Sequence, residues 1–425
     1  MIGRIFSRVL PGLIRWAYFF VFDFVTASSL APLFARFFGI RQKRLGAFLA
    51  PLSLPTGPAV GQAVGLTVAF HASSVGELEM LRPLMELAIQ KGQRILVTAF
   101  SDSALDWLEN LKKGREGQVS ACLSPRESQW GRLFELHSVQ SLWMAKYDFW
   151  PGLLWAANRG RLPIRVVNAH LRTSVRVLPR LASLFGLGDL RVVFHAATSS
   201  AFRELEAWCA QYPTRKFSVV QSMDPRRVQI QRRVQAVSAR AQAVLDRLQC
   251  LPSPRVVVGS VWPGDLFHLQ QVIRDTGVRP GSLILFPHSF ESSNLENLRQ
   301  IASRLDPSIR VEWVQEKGVL VECYQAADWI WVGGGFDAGV HSTLEPAYTG
   351  CFIGIGPKNS EKFEEIAELQ HRGILTICAN SDDLASWWKR CAERVESHHS
   401  SRSSPIHFPS EGEFFAHFEP FLAPS

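Results

Sequence analysis

Three short stretches hold residues from which a reaction could be built. The first is His71-Ala72-Ser73-Ser74-Val75-Gly76-Glu77. An apolar run ends at His71, small residues make a turn, and Glu77 opens an amphipathic segment. Ser73, Ser74 and Gly76 would let the backbone approach a ligand closely. A carboxylate at a strand-to-helix turn can take a proton. A first-turn acid is also favoured simply by the helix dipole. The second stretch is Lys146-Tyr147-Asp148-Phe149-Trp150-Pro151, where Lys146 and Asp148 precede aromatics. Asp148 can orient a polar ligand, or it can be the N-cap of a helix with Pro151 in its first turn.

The third stretch, Gly333 to Pro346, follows the apolar run Trp329–Val332. Gly334, Gly335 and Gly339 permit main-chain turns that side chains would block. His341 comes next. Ser342 and Thr343 are then expected to start a helix whose outward N–H groups form an anion site. Glu345 falls in its first turn, where a carboxylate can accept hydrogen bonds from ribose hydroxyls. The spacing matches neither a P-loop nor a dinucleotide fingerprint, so a phosphate site and a plain structural turn both remain readings. Gly259 and Ser260, with Pro287 and His288, close two further apolar runs. His288 alone reads more readily as a structural histidine.

These residues need elements to position them. Leu66–Phe70, Arg94–Phe100, Ser141–Ala145, Ile164–Asn168 and Val192–Ala196 read as strands. Glu77–Gln90, Ser103–Leu111, Trp150–Arg159 and Ser199–Ala210 read as helices. The alternation restarts with Val256–Gly259, Leu283–Pro287, Val311–Val314, Trp329–Val332 and Phe352–Ile355 as strands. That pattern predicts an α/β chain with two Rossmann-like, doubly wound parallel-sheet domains and a cleft between them. The expected division is 1–50 as an anchor, 51–224 as the first domain, 225–252 as an inter-domain helix, 253–397 as the second domain, and 398–425 as a tail packing back on the body. The segment 51–65, with three Pro and three Gly, reads as a linker.

The chain has 425 residues, 47% hydrophobic and 20% charged, with net charge +8. That length calls for more than one core, and that balance excludes disorder and collagen-like repeats. The positive excess favours anionic partners. It is concentrated at one end: Arg4, Arg8, Arg15, Arg36, Arg41, Lys43 and Arg44 stand against Asp23 in residues 1–50, a net +6. The longest charge-free run there, Phe24 to Ala35, is 12 residues, short of the roughly 20 that span a bilayer. The arm therefore reads as an interfacial anchor on an anionic membrane surface, ahead of an amphipathic helix packed on its own domain or a true span. No signal-peptide cleavage pattern follows it. The seven cysteines form no Cys-x-x-Cys pair, which points to reduced thiols rather than a disulfide or zinc scaffold. The Arg-rich stretch 226–247 reads as a solvated helix face and not a nucleic-acid site.

Taken in order, His71–Glu77, Tyr147–Pro151, Asn168-Ala169, Gly259-Ser260, Ala327-Asp328, Gly333–Gly335, Gly339–Pro346 and Gly356-Pro357 resemble the 3-deoxy-D-manno-octulosonic acid (Kdo) transferases. The resemblance runs from about residue 71 to residue 379. It implies an inverting glycosyltransferase of the GT-B type with a hydrophobic amino-terminal anchor. Position by position, it puts the catalytic glutamate on Glu77 and a second acid on Asp148. Ser73, Ser74, Gly76 and Lys146 fall on the acceptor side. The donor nucleotide falls to Gly259, Ser260, Pro287, His288, Gly334, Gly335, Gly339, His341, Ser342, Thr343 and Glu345. The chain departs from the family at Ser342 for Asn, His170 for Arg, and Gln221-Ser222 for Gly-Asn or Gly-Asp.

The resemblance further implies CMP-Kdo as donor and a lipid A precursor as acceptor, in lipopolysaccharide biosynthesis at the cytoplasmic face of the inner membrane. Glu77 would act as general base in a single displacement, with neither metal nor other cofactor. Two alternatives stand beside this: a divergent GT-B enzyme using another nucleotide sugar, and a catalytically silent, membrane-bound lipid-binding paralogue.

Overall fold

A computed structural model describes Ile14, Ala17, Tyr18 and residues 66–146, 148–397 and 406–422. The expected anchor at 1–50 lies outside the described residues apart from those three, as does the linker 51–65. Among the described residues no helix is long and apolar enough to cross a membrane. Tyr18 lies edge-on to Phe185, with ring centroids 5.3 Å apart, and its hydroxyl donates to Glu127 at 3.4 Å. At that residue the arm is packed on protein.

The chain divides into two compact units, residues 1–226 with 411–425, and residues 227–410. The first holds a seven-stranded parallel sheet: β1 Thr67–Ala72, β2 Arg94–Ala99, β3 Val119–Leu123, β4 Val139–Ala145, β5 Pro163–Val167, β6 Arg191–Ala196 and β7 Lys216–Gln221. Their order is β3-β2-β1-β4-β5-β6-β7. The second unit holds six strands: β8 Arg255–Val261, β9 Ser282–Pro287, β10 Arg310–Trp313, β11 Trp329–Val332, β12 Phe352–Ile355 and β13 Leu375–Ile377. They are ordered β10-β9-β8-β11-β12-β13. Each is a doubly wound Rossmann-type sheet, as the alternation of apolar runs predicts. The order reverses once per sheet, between β1 and β4 and between β8 and β11. A parallel sheet covered on both faces needs apolar strands, and every residue of β1, β9 and β11 is buried.

Three corrections follow from the coordinates. The segment 225–252 is not one inter-domain helix. It forms Pro225–Gln235 and Ala239–Gln249, broken where Ser238 caps the second helix by accepting the Ala241 N–H at 3.2 Å. Nor is it a linker: from Arg227 onward it belongs to the second unit, and Ile230, Val244, Leu245 and Leu248 enter that core. Third, 398–425 does not act as one tail from 398. The helix Glu411–Leu422 belongs to the first unit, whereas 406–410 belong to the second.

That terminal helix buries Phe414 and Phe418. Phe418 meets Trp143 on β4 and His195 on β6, at centroid distances of 6.2 and 5.8 Å. His195 is buried and neither ring nitrogen has a hydrogen-bond partner among the described residues. Burial, with Arg165 and His417 adding to it, pushes its pKa down to about 3.

A buried neutral imidazole is protonated more readily in the unfolded chain. Its contribution to stability is therefore complete above pH 6.5 and is lost as the pH falls toward 3. By that linkage His195 alone costs about 2 kcal/mol between pH 7 and pH 5. His195→Phe should flatten that part of the acid sensitivity. Urea unfolding followed by tryptophan fluorescence at both pH values measures it, and an unchanged difference would refute the assignment.

Candidate active site

In open parallel sheets, ligands bind beyond the carboxyl ends of the strands flanking the order reversal. In the first unit those strands are β1 and β4, and the residues that follow them are Ser73–Glu77 and Lys146–Asp148. The sheet thus brings two stretches separated by some seventy positions to one edge.

Glu77 lies in the first turn of the helix Val75–Gln90. Its Oε2 accepts the Ser73 N–H at 2.8 Å, and its Oε1 stands 3.8 Å from Lys146 Nζ. The Glu77 side chain is 15% exposed and that of Lys146 41%. An ion pair so open to solvent adds at most about 1 kcal/mol, so the pair orients the carboxylate more than it stabilises the fold. Lys146 adopts φ of 60°, in the left-handed region, as do Asn168 and Ser260 at 52°. Non-glycine residues held there store strain of about 1 kcal/mol or more, and such positions cluster at functional sites.

Asp148 accepts a hydrogen bond from the Ser73 hydroxyl. It is not the helix N-cap: Trp150 occupies that position before Pro151–Arg159. His71 Nε2 lies 3.7 Å from Asp148 Oδ2. Burial pushes the His71 pKa down to about 3, so this is a neutral ring near a carboxylate and not an ion pair. His71 Nδ1 is paired with Thr98 Oγ1 at 2.9 Å. The structure thus brings Ser73, Lys146, Glu77 and Asp148 together. Ser74 takes part through its carbonyl, which accepts the Glu77 and Leu78 N–H groups. Gly76 has open space around it.

In the second unit the reversal is between β8 and β11. Gly259 and Ser260 sit where the β8–β9 register shifts. A Cβ at Gly259 would lie 2.0 Å from Tyr324 Oη. Gly334 has φ of 93° and Gly339 of 124°, conformations that favour glycine. A Cβ at Gly335 would meet the Gly356 backbone at 2.5 Å. The Gly-rich stretch is thus threaded against the loop after β12, where the exposed Lys358 donates from Nζ to the Asp337 carbonyl.

Three rings gather at this edge. Trp262 stacks on His288 at 4.5 Å between centroids, and His288 stacks on His341 at 4.4 Å. Trp262 Nε1–H donates to His341 Nε2 at 3.3 Å. The indole and the His341 ring therefore lie edge to edge with His288 across them. Burial, then the neighbouring His288, pushes the His341 pKa down to about 4. The indole is donor only, so His341 accepts at Nε2 and carries its proton on Nδ1. His288 is the exposed layer of this stack, a flat surface for a heterocycle. Pro287 is buried as the last residue of β9.

The helix expected from Ser342 and Thr343 is a single turn, Leu344–Ala347, with Thr343 at its N-cap position and no side-chain cap. A helix this short has little summed dipole, so the expected helix-end anion site is absent in that form. The Gly333 and Gly334 N–H groups are spent on the Gly259 carbonyl and on Asp265, so the exposed Lys358 is the group here that suits an anion. Thr343 is buried with its hydroxyl unpartnered among the described residues. Glu345 lies near enough to the buried Tyr324 to raise the pKa of that phenol beyond what burial alone does.

Asp265 and Lys358 were not among the expected site residues, and His71 stood in its candidate stretch without a role of its own. Asp265 makes only the acid half of a capping box, accepting the Trp262 backbone N–H at 3.1 Å; a tryptophan N-cap has no acceptor to complete it, so the sequence carried no such signal. No group of His, Cys, Asp and Glu suited to a metal occurs among the described residues. A surface cavity of about 580 Å³ lies at the other end of the first sheet, lined by Thr67, Arg94, Lys112, Lys113 and His137. Thr67 and Arg94 begin their strands, so this cavity is away from the residues described above.

Two Rossmann-type units, each with polar residues at its order reversal, resemble the domains of GT-B proteins. Residues 39–231 match the family model of the 3-deoxy-D-manno-octulosonic-acid transferases (kdotransferase). No curated protein matches the chain in sequence. Among solved structures, the UDP-GlcNAc 2-epimerase from Neisseria meningitidis bound to UDP-GlcNAc is similar at TM-score 0.58 and 12% identity, over 84% of this chain and 99% of that one. The UDP-GlcNAc 2-epimerase from Methanocaldococcus jannaschii is similar at 0.56 and 10%, over 84% and 99%. A glycosyltransferase from Rickettsia africae ESF-5 is similar at 0.52 and 10%, over 85% and 98%. At these identities the likeness concerns the fold. The family match over residues 39–231 supports a glycosyltransferase.

Two glycines separate the roles of space and sequence. Gly335→Ala forces the backbone of two loops apart and should destabilise the second unit by about 1–3 kcal/mol. Gly76→Ala adds a methyl group in open space within a helix and should be neutral or stabilise by up to about 1 kcal/mol. Chemical denaturation of both variants checks this, and equal effects would contradict it.

Proposed function

We propose that the chain transfers Kdo from CMP-Kdo to a lipid A precursor, with inversion at the anomeric carbon. The observation that carries this reading is Glu77. Its carboxylate stands beyond the carboxyl end of β1, oriented by the Ser73 N–H and facing Lys146. As the acceptor hydroxyl attacks, its proton passes to Glu77. Asp148 holds the Ser73 hydroxyl and with it the turn from which Glu77 projects. The leaving cytidylate needs charge neutralisation more than a proton. Lys358, whose backbone N–H bonds the Gly335 carbonyl at the edge of the Gly-rich turn, supplies it. The ring stack Trp262–His288–His341 offers a face for the pyrimidine.

The acceptor is a phosphorylated glycolipid, and the basic, apolar residues 1–50 suit the cytoplasmic face of an inner membrane, where they would meet anionic head groups. The substitutions His170, Gln221 and Ser342 favour a second reading, a GT-B enzyme with another nucleotide sugar.

Transfer of radiolabelled sugar from CMP-Kdo to tetraacylated lipid A precursor by the purified protein tests the reading. Glu77→Gln should lower the rate about 10²- to 10⁴-fold, as loss of a general base does, while CMP binding by calorimetry stays within about twofold. Full transfer by Glu77→Gln would remove the role of Glu77. Binding of UDP-sugars alone would move the chain to the second reading.

A further inference from the structure

Asp265 lies in the first turn of the helix Pro263–Thr276 and is fully buried. Its Oδ2 accepts the backbone N–H of Gly334 at 2.6 Å and that of Trp262 at 3.1 Å. Its Oδ1 accepts the indole N–H of Trp331 at 3.3 Å. These donors come from the Gly-rich turn after β11, the turn after β8, and β11 itself. One carboxylate thus spans the place where the strand order reverses. Bonds to a charged acceptor are roughly twice as strong as neutral ones. The fit is close: a Cβ at Gly333 would lie 2.8 Å from Oδ2.

We propose that Asp265 is the positioning residue of the donor site. Its carboxylate holds the Gly333–Gly335 turn against the Gly259–Trp262 turn. The Gly-rich turn, with Lys358 beside it, and the Trp262–His288–His341 stack are thereby preset for a nucleoside monophosphate. This rests on the donor reading given above. An amide cannot replace the carboxylate. Turned so that its oxygen receives Gly334 and Trp262, an asparagine sets its NH₂ against the Trp331 indole N–H, donor against donor.

Burial pushes the Asp265 pKa up to about 6, and Asp337 on the Gly-rich loop pushes the same way. Asp337 is the only charged side chain acting on it among the described residues; His268, one turn along the helix, itself feels Asp337. The proton that reaches Asp265 below pH 6 removes acceptor capacity from a group ringed by donors. The tie then loosens locally. The global effect has the opposite sign: a carboxyl whose folded pKa lies above its unfolded value disfavours the fold increasingly as pH rises through 4 to 6. Protection of the Gly334 N–H and the contribution of Asp265 to global stability should therefore move in opposite directions with pH.

The test uses the full chain and CMP. Calorimetry gives CMP affinity, and amide hydrogen exchange follows the peptides containing Trp262 and Gly334. Asp265→Asn should weaken CMP about tenfold or more and speed exchange at Gly334 about tenfold, the size of one lost buried hydrogen bond. In the unaltered protein, exchange at Gly334, corrected for its intrinsic rate, should be about tenfold faster at pH 5 than at pH 7.5. That comparison holds even where the variant fails to fold. Unchanged Gly334 protection, both in Asp265→Asn and across the pH series, would overturn the tie. An unaltered protein that does not bind CMP, yet shows the expected exchange behaviour, would overturn the donor reading and leave the tie supported.

Discussion

Two neighbouring parallel strands whose following loops depart to opposite faces of the sheet leave an unfilled edge between them. That constraint places the polar residues of this protein. In the first unit β1 pairs with both β2 and β4, so the loop after β1 and the loop after β4 begin side by side. Ser73, Glu77, Lys146 and Asp148 meet there for no other reason. In the second unit β8 pairs with β9 and β11, and the same geometry joins Ser260 and Trp262 to the Gly-rich turn. The sheet supplies proximity, and hydrogen bonds across the edge supply orientation.

Burial then decides which of these groups are charged. His71, His195 and His341 are all pushed well below the ordinary histidine pKa, with desolvation the leading cause in each. They act as neutral rings that pack, and His341 also accepts the Trp262 indole N–H while His71 pairs with Thr98. Asp265 shows the opposite shift from the same cause, opposed by three N–H donors that suit its carboxylate. A buried carboxyl without such donors would be a liability of several kcal/mol. With them it becomes a rigid joint between loops. Glu77 and Lys146 remain at the surface of their edge, where solvent weakens their attraction and leaves the carboxylate accessible to a substrate.

Much of the architecture was legible in the chain itself. The strands Trp329–Val332 and Phe352–Ile355 and the helix Ser199–Ala210 have the bounds their apolar patterns indicate. Central strands read well because both faces are covered. Of the four edge strands, β3, β7 and β13 did not, being short or partly exposed, whereas β10 did although it, like β7, has no fully buried residue. The Arg-rich run reads as one helix because charge does not reveal a break, and the break depends on one capping hydroxyl, Ser238. The turn after Gly339 reads as the start of a longer helix, yet the chain needs only one turn before β12.

Residue type and order by themselves determined the two alternating sheets, the glycines able to take left-handed turns, and the candidacy of Glu77, Asp148 and the Gly-rich run. Those follow from local sterics and from periodic burial, which each segment carries within itself. Tertiary structure alone decided that Asp148 answers to Ser73, that Trp262 and His341 form an edge-to-edge pair beneath His288, and that Asp265 binds Gly334. Such contacts join residues tens of positions apart, and their existence depends on which strands become neighbours, a property of the folded sheet and not of any segment in it.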